Sequence, residues 1–452
     1  MRVQFSGLIL RLAVAAIAGA ALLSYGCNGS GGQTAPSPTA PGGSPAAGTP
    51  TDTPQPPLDP TGYRFVYGEF GAEADTIWSI KPNDISDRVE VAKIPHKAGW
   101  AVTPALSPDG QKIAYIAMPE EALTPLDADA YVLDIESGKP ELVARHIDLL
   151  TPPRWSPDGG LLFLRQNTGE DVTVILVDLR EPGEGTPEAG EGVPPPVRTV
   201  LRQHESDVLA YIPLGVDART ATMYFAQVQG GTENGSFLGR YAPATGEAVA
   251  TANAIADATA TAAAAVATAT PTPTPIPIPN QRLSGDVYLV LSDQIARDYA
   301  LSPDASLVAF LVPGLVEGQF VARTYLANVG SEEVSPLRAP AGLAVGDQIS
   351  PAWHPDGKSI AVGQLPSGSE PGRVAVVPIG RGEALFLPPP EKGFDQPLGW
   401  SPDGRYLAVA SFSGDSLGNP GPSRLVFISM SGQRLALPEG PEIRFAGWAV
   451  AE

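Results

Sequence analysis

Residues 414–418 of this 452-residue chain read Gly-Asp-Ser-Leu-Gly, a G-x-S-x-G pattern that can present a serine as a nucleophile. That chemistry needs a strand–turn–helix context and a histidine partner. The flanking Gly, Pro and Ser residues describe a hairpin loop instead, and all four histidines, His96, His146, His204 and His354, precede the motif. None of the histidines sits in an H-x-x-x-H or Cys/His spacing that would hold zinc. Asp127-Ala128-Asp129 is too short for a calcium loop of the helix–loop–helix kind. No Gly-rich phosphate loop opens a helix. The expectation is therefore no catalytic residue, no metal ligand, no bound cofactor and no enzymatic activity.

A second set of chemistry-bearing residues recurs at fixed places. Asp109, Asp158, Asp304, Asp356 and Asp403 each stand in a Ser-Pro-Asp-Gly motif or a close variant, with Ala305 for Gly and His354 for Ser in one copy each. Val216-Asp217-Ala218 is a sixth, degenerate copy, with Asp217 read as its turn aspartate. The physics is that of a tight turn. Pro presets φ near −65°, Asp accepts a hydrogen bond from the backbone two residues on, and Gly takes the positive φ. These carboxylates are read as structural, and His354 as a turn residue.

The elements that must carry the turns are strands. A β-branched or aromatic run follows each motif, as in Lys112-Ile113-Ala114-Tyr115 and Tyr406-Leu407-Ala408-Val409. Trp155, Trp353 and Trp400 directly precede three motifs, as large core side chains on the incoming strand. A further strand follows, such as Val374-Ala375-Val376-Val377, then a turn and a short last strand such as Arg434-Leu435-Ala436-Leu437. Four strands per unit, repeated, are propeller blades. Asp109 to Asp158 is 49 residues, Asp304 to Asp356 is 52 and Asp356 to Asp403 is 47. Blade repeats of about 40–50 residues have that period. The longer interval after Asp158 matches the Pro/Gly/Glu loop from Glu181 to Pro196. That after Asp217 is explained by residues 249–284, an Ala/Thr run followed by Thr-Pro and Ile-Pro alternation. That stretch is expected to be a disordered insertion in the outer loop of the fourth blade, with Val287-Tyr288-Leu289-Val290 resuming the sheet. The rival is a linker between two open rings.

The ends complement each other. Phe65-Val66-Tyr67-Gly68 looks like the strand after a motif but follows none, whereas Phe445-Ala446-Gly447-Trp448 looks like the strand before one. The expected fold is all-β: a single β-propeller of four-stranded blades over 62–452, seven in number, closed by the C-terminal strand. Six blades is the alternative if the weak copy at Asp217 or the first unit is not a blade. The Pro-Asp-Gly repeats resemble those of the TolB-like, WD-repeat-like β-propellers of bacteria. That resemblance implies a protein-interaction or scaffold role at the cell envelope.

The start of the chain reads as an address. Arg2 and Arg11 flank an opening, and Leu12 to Leu23 is apolar but shorter than the roughly 20 residues that span a bilayer. Ser24-Tyr25-Gly26-Cys27 follows and resembles the lipobox of bacterial lipoproteins, although Ser24 stands where Leu is usual. The resemblance implies a signal peptide over 1–26 and lipid attachment at Cys27, the only cysteine. Residues 27–61 are Gly, Ser, Thr, Pro and Ala, too poor in apolar surface to offset ordering entropy, and read as a disordered tether.

Composition sets further limits. Net charge is −20, which disfavours nucleic acid and anionic lipid headgroups, and no Lys/Arg cluster offsets it. One cysteine allows no internal disulfide, so packing must hold the fold. The expected function is a non-enzymatic binding module, exported and membrane-anchored through its lipid alone, whose partner is another envelope protein. A glycan- or peptide-binding propeller of an uptake or sensing system is the first alternative, and a hydrolase or lyase with a site in the central channel the second.

Overall fold

The turn motifs form as their residue types dictate, and each joins the first and second strands of a blade. A computed structural model describes residues 61–167, 172–180, 197–203, 208–231, 234–241, 285–316, 319–338 and 347–451. Cys27, the signal peptide, residues 27–60 of the tether, His204 and the 249–284 stretch lie outside the described residues, whereas Thr61, read as the end of the tether, is buried and donates Oγ1 to Asp403 Oδ2 at 2.6 Å.

Blade 2 comprises Thr103–Leu106, Lys112–Ala117, Ala128–Asp134 and Pro140–Ile147. Blade 3 comprises Arg154–Trp155, Leu161–Asn167, Val172–Asp178 and Val197–Gln203. Blade 4 comprises Val208–Val216, Met223–Gln229, Gly235–Tyr241 and Gly285–Ser292. Blade 5 comprises Arg297–Leu301, Leu307–Val316, Gln319–Asn328 and Val334–Pro336. Blade 6 comprises Gln348–Trp353, Ser359–Gln364, Val374–Pro378 and Leu385–Phe386, and blade 7 Phe394–Trp400, Tyr406–Phe412, Ser423–Ser429 and Arg434–Ala436. Neighbouring strands within a blade are antiparallel. A single bridge, Ile147 to Gln166, links the sheets of blades 2 and 3.

Blade 1 joins the two ends of the chain. Ile443–Val450 pairs with Tyr63–Glu69, which continues to Ala74–Lys81 and Asp84–Pro95. The C-terminal strand therefore supplies the first strand that the N-terminal unit lacks. In blade 4, Gly285–Ser292 pairs with Gly235–Tyr241, so both flanks of residues 242–284 belong to one sheet.

Second strands read as continuous apolar runs because both of their faces are covered by neighbouring blades. Tyr406–Phe412, YLAVASF, is buried over its first six residues, while the outer strand Pro140–Ile147 is mostly exposed or half-buried. Seven hydrophobic clusters lie between consecutive blades. One joins Leu161, Phe163 and Leu176 of blade 3 to Tyr211 and Phe225 of blade 4. The seventh joins Tyr406 and Phe427 of blade 7 to Phe65 and Tyr67 of blade 1, so the ring is closed by packing as well as by strand pairing.

First strands of consecutive blades are neighbours around the ring, and between blades 2 and 3 the link is made by Trp155. The tryptophans at their ends tie one blade to the previous one. Trp155 Nε1 donates to Ala105 O at 3.0 Å, Trp353 Nε1 to Ala300 O at 2.9 Å, and Trp400 Nε1 to Ala352 O at 3.3 Å. A buried indole N–H needs such a partner, and here the bond also fixes blade spacing.

Candidate functional site

Each repeat aspartate closes its own turn. Ser107 Oγ donates to Asp109 Oδ1 at 2.6 Å, Gln111 N donates to the same oxygen at 3.0 Å, and Lys112 N donates to Ser107 Oγ at 2.8 Å. The pattern recurs at Ser302–Asp304, where Oγ lies 2.7 Å from Oδ1, and at Ser401–Asp403, where it lies 2.6 Å away. Ser156 and Asp158 make the same bond. Gly110 at φ 75° and Gly404 at φ 70° take the left-handed place, and Ala305 is held there at φ 56°.

Asp356 accepts from Lys358 N at 2.8 Å, and His354 Nδ1 lies 2.9 Å from its Oδ1. The His354 ring meets Trp400 of the next blade edge-on, with centroids 4.9 Å apart. His354 is thus a turn residue that also spans two blades.

Asp217 departs from its expected place. Asp217 N donates to Thr222 O at 2.8 Å, as Ser107 N does to Lys112 O, so Asp217 occupies the serine position of the repeat. A carboxylate serves there because it can still accept from the backbone, here from Arg219 N at 2.9 Å. It remains a turn residue, two positions earlier than the pattern suggested.

The turn bonds hold the carboxylates in their charged form. The serine hydroxyl is the leading cause that lowers Asp109, Asp158 and Asp304 below the ordinary carboxylate range. A carboxyl depressed in the folded state contributes stability above its unfolded value of about 3.9, lost as pH falls through the folded value. Thermal melts are therefore expected to fall as acid is added below about pH 4. Replacing all three aspartates by Asn should flatten that acid limb, and an unchanged limb would refute the assignment.

Ser416 sits in the loop between the second and third strands of blade 7, beside the Ser416–Asn419 bridge. Its Oγ donates to Asp415 Oδ1 at 3.1 Å. The strand–turn–helix of a nucleophile elbow is not formed there. The other described histidines are separated. His96 Nε2 lies 2.8 Å from Asp75 Oδ1 in the interior, whereas His146 Nδ1 lies 2.5 Å from Asp127 Oδ1 at the surface. Among the described residues no group of three or more His, Cys, Asp or Glu could hold a metal ion. Among them, too, no helix is long and apolar enough to cross a membrane.

Several polar pairs escape sequence reasoning because their members lie far apart in the chain. Asp75 accepts from Gly71 N at 3.0 Å, Val102 N at 2.8 Å and His96. Asp148 Oδ2 pairs with Arg165 NH1 at 2.8 Å, and Asp395 with Arg434 at 2.7 and 3.1 Å. Arg154, on the first strand of blade 3, donates Nε to Pro213 O of blade 4 at 3.2 Å. Its place in the repeat was readable. The corresponding positions, one before the last residue of the strand or its equivalent, hold Ala105, Gly215, Ala300, Ala352, Gly399 and Gly447.

Seven four-stranded sheets in a closed ring, with each repeat turn joining first to second strand, define a β-propeller. No protein-family model matches the chain. Among solved structures it is similar to an oligogalacturonate lyase from Vibrio parahaemolyticus, at 11% identity over 81% of this chain and 85% of that one, with a TM-score of 0.50. It is also similar to TolB from Acinetobacter baumannii, at 17% identity over 86% of this chain, with a TM-score of 0.44. The chain spans 66% of that TolB. The β-propeller domain of the Trilobed protease from Pyrococcus furiosus matches at 10% identity over 83% of this chain and 96% of that one, TM-score 0.47. At such identities the likeness is one of fold alone, a β-propeller.

Proposed function

We propose that this protein is a non-enzymatic binding or scaffold module, lipid-anchored through Cys27, displayed on the extracytoplasmic face of a membrane and engaging another envelope protein. The observation that carries this reading is that the repeat residues able to do chemistry are used structurally. Five Ser-Pro-Asp-Gly-type carboxylates close their own turns, and His354 packs against the next blade. What the ring offers outward is loop surface. Leu123 is 88% exposed and Leu150 is 48% exposed. The loops bearing them are joined by Leu149 N donating to Pro125 O at 2.8 Å. Such exposed apolar side chains suit a protein contact.

The test is crosslinking in intact cells followed by capture of the tethered protein. One stoichiometric protein partner is expected, and its yield should fall in Leu123→Asp/Leu150→Asp with the melting temperature unchanged. Saturable glycan binding with no protein partner would overturn the reading. Mass spectrometry of wild type against Cys27→Ala tests the anchor: a diacylglycerol adduct lost in the variant is expected, and identical membrane fractions would refute it.

A further inference from the structure

Arg154 breaks the rule that governs the axis of this ring. At the other six equivalent positions the residue is Ala or Gly, for a visible reason: a large residue of the next blade's first strand packs there. A Cβ on Gly215 would meet Leu301 Cδ2 at 3.0 Å, one on Gly399 would meet the Phe445 ring at 2.9 Å, and one on Gly447 would meet Leu106 Cβ at 2.8 Å. Trp155, Trp353 and Trp400 lie against the backbone of Ala105, Ala300 and Ala352 in the same way. Between blades 3 and 4 the arrangement is inverted. Val216 stands where those large residues stand, and Arg154 reaches Pro213 O of the same strand.

The guanidinium is only partly used. Nε donates to Pro213 O at 3.2 Å, and this is the one hydrogen bond Arg154 makes among the described residues. No carboxylate there lies in ion-pair range of it. Arg165 is its cross-strand diagonal neighbour on the same face of blade 3, since Arg154 pairs with Phe163. Arg165 already has Asp148 at 2.8 Å. Asp148 is thus taken by Arg165 and Arg154 has no carboxylate of its own, a local positive excess in a chain of net charge −20. Arg154 is half-buried, and its terminal nitrogens are not among the fully buried atoms left without a partner. A first strand lies on the inside of the ring, next to the central channel that propeller blades surround. Burial lowers Arg154 below the ordinary arginine value, which marks a charge lacking compensation, although a guanidinium keeps its proton.

We propose that Arg154 is an oxyanion-binding residue at the inner boundary of blades 3 and 4, its terminal nitrogens taking a carboxylate or phosphate group of a small ligand. A guanidinium presents a planar fork that matches either group by paired N–H···O bonds. This site is independent of the partner-binding reading above, and either can fail alone.

The test is isothermal titration of the full chain with inorganic phosphate and, separately, with citrate. Saturable binding of at least one is expected, weakened roughly tenfold or more in Arg154→Ala and in Arg154→Met. Alanine is the residue found at three equivalent positions, and Met keeps the apolar stem if alanine proves unstable. Phosphate binding alone would assign a phosphorylated ligand, and citrate binding alone a carboxylate ligand. Absence of saturable binding of both anions to the wild type overturns the proposal. So does unchanged affinity in a variant that melts as the wild type does.

Discussion

Phe65→Ala is expected to lower stability by about 3–5 kcal/mol, because Phe65 is the centre of the seam at which the chain's two ends meet. Its side chain is fully buried. It stacks on Phe445 at 5.0 Å and meets Trp448 edge-on at 5.1 Å, both from the C-terminal strand. It also meets Phe427 of blade 7 edge-on at 5.4 Å. One truncation therefore leaves a void shared by the N-terminal strand, the C-terminal strand and the last blade. Opening there would expose strand edges on two sides. Guanidinium denaturation of Phe65→Ala beside the exposed-site control Leu123→Ala measures the effect. A change at Phe65 as small as the control, within about 0.5 kcal/mol, would mean that closure does not rest on this cluster.

Asp75→Ala should cost a similar amount, about 3–5 kcal/mol, by a different route. Its carboxylate is fully buried and serves Gly71 N, Val102 N and His96 Nε2, so it pins the crossover from blade 1 to the first strand of blade 2. The other ring nitrogen of His96 faces Lys97 O at 2.9 Å, so the imidazole is held from both ends. Removing the carboxylate leaves Val102 N and one ring nitrogen buried without partners and takes the acceptor of the half-buried Gly71 N. His96→Phe alone is expected to be harmful too, since it strands part of Asp75. The double variant should then be more stable than the sum of the two losses implies, by about 0.5–3 kcal/mol. Strict additivity would show that Asp75 and His96 act separately.

The turn motif was legible in sequence because it is local. Ser107, Asp109 and Gly110 fix one another within a few residues through hydroxyl, carboxylate and positive φ, and no distant partner is needed. The blade count followed from repeat spacing, and ring closure from a strand missing at one end and spare at the other. Asp217 was misplaced by two residues, because the degenerate copy has neither Pro nor Gly to fix its register and only the bond from Asp217 N to Thr222 O does so.

The polar interior was not legible. Asp395 and Arg434 meet across the last blade, and Asp148 meets Arg165 across a blade boundary. Such pairings depend on which side chains the ring turns toward each other, and no spacing rule encodes that. Arg154 lies between the two cases. Its departure from Ala and Gly is written in the repeat, but that its guanidinium meets Pro213 O of the next blade and no carboxylate among the described residues is decided by the fold. The sequence by itself determined the turns, the strands and their closure into a ring, because these rest on local conformational preference and periodic burial. Only the tertiary structure decided which charges are compensated, because that depends on partners that the ring brings together from different blades.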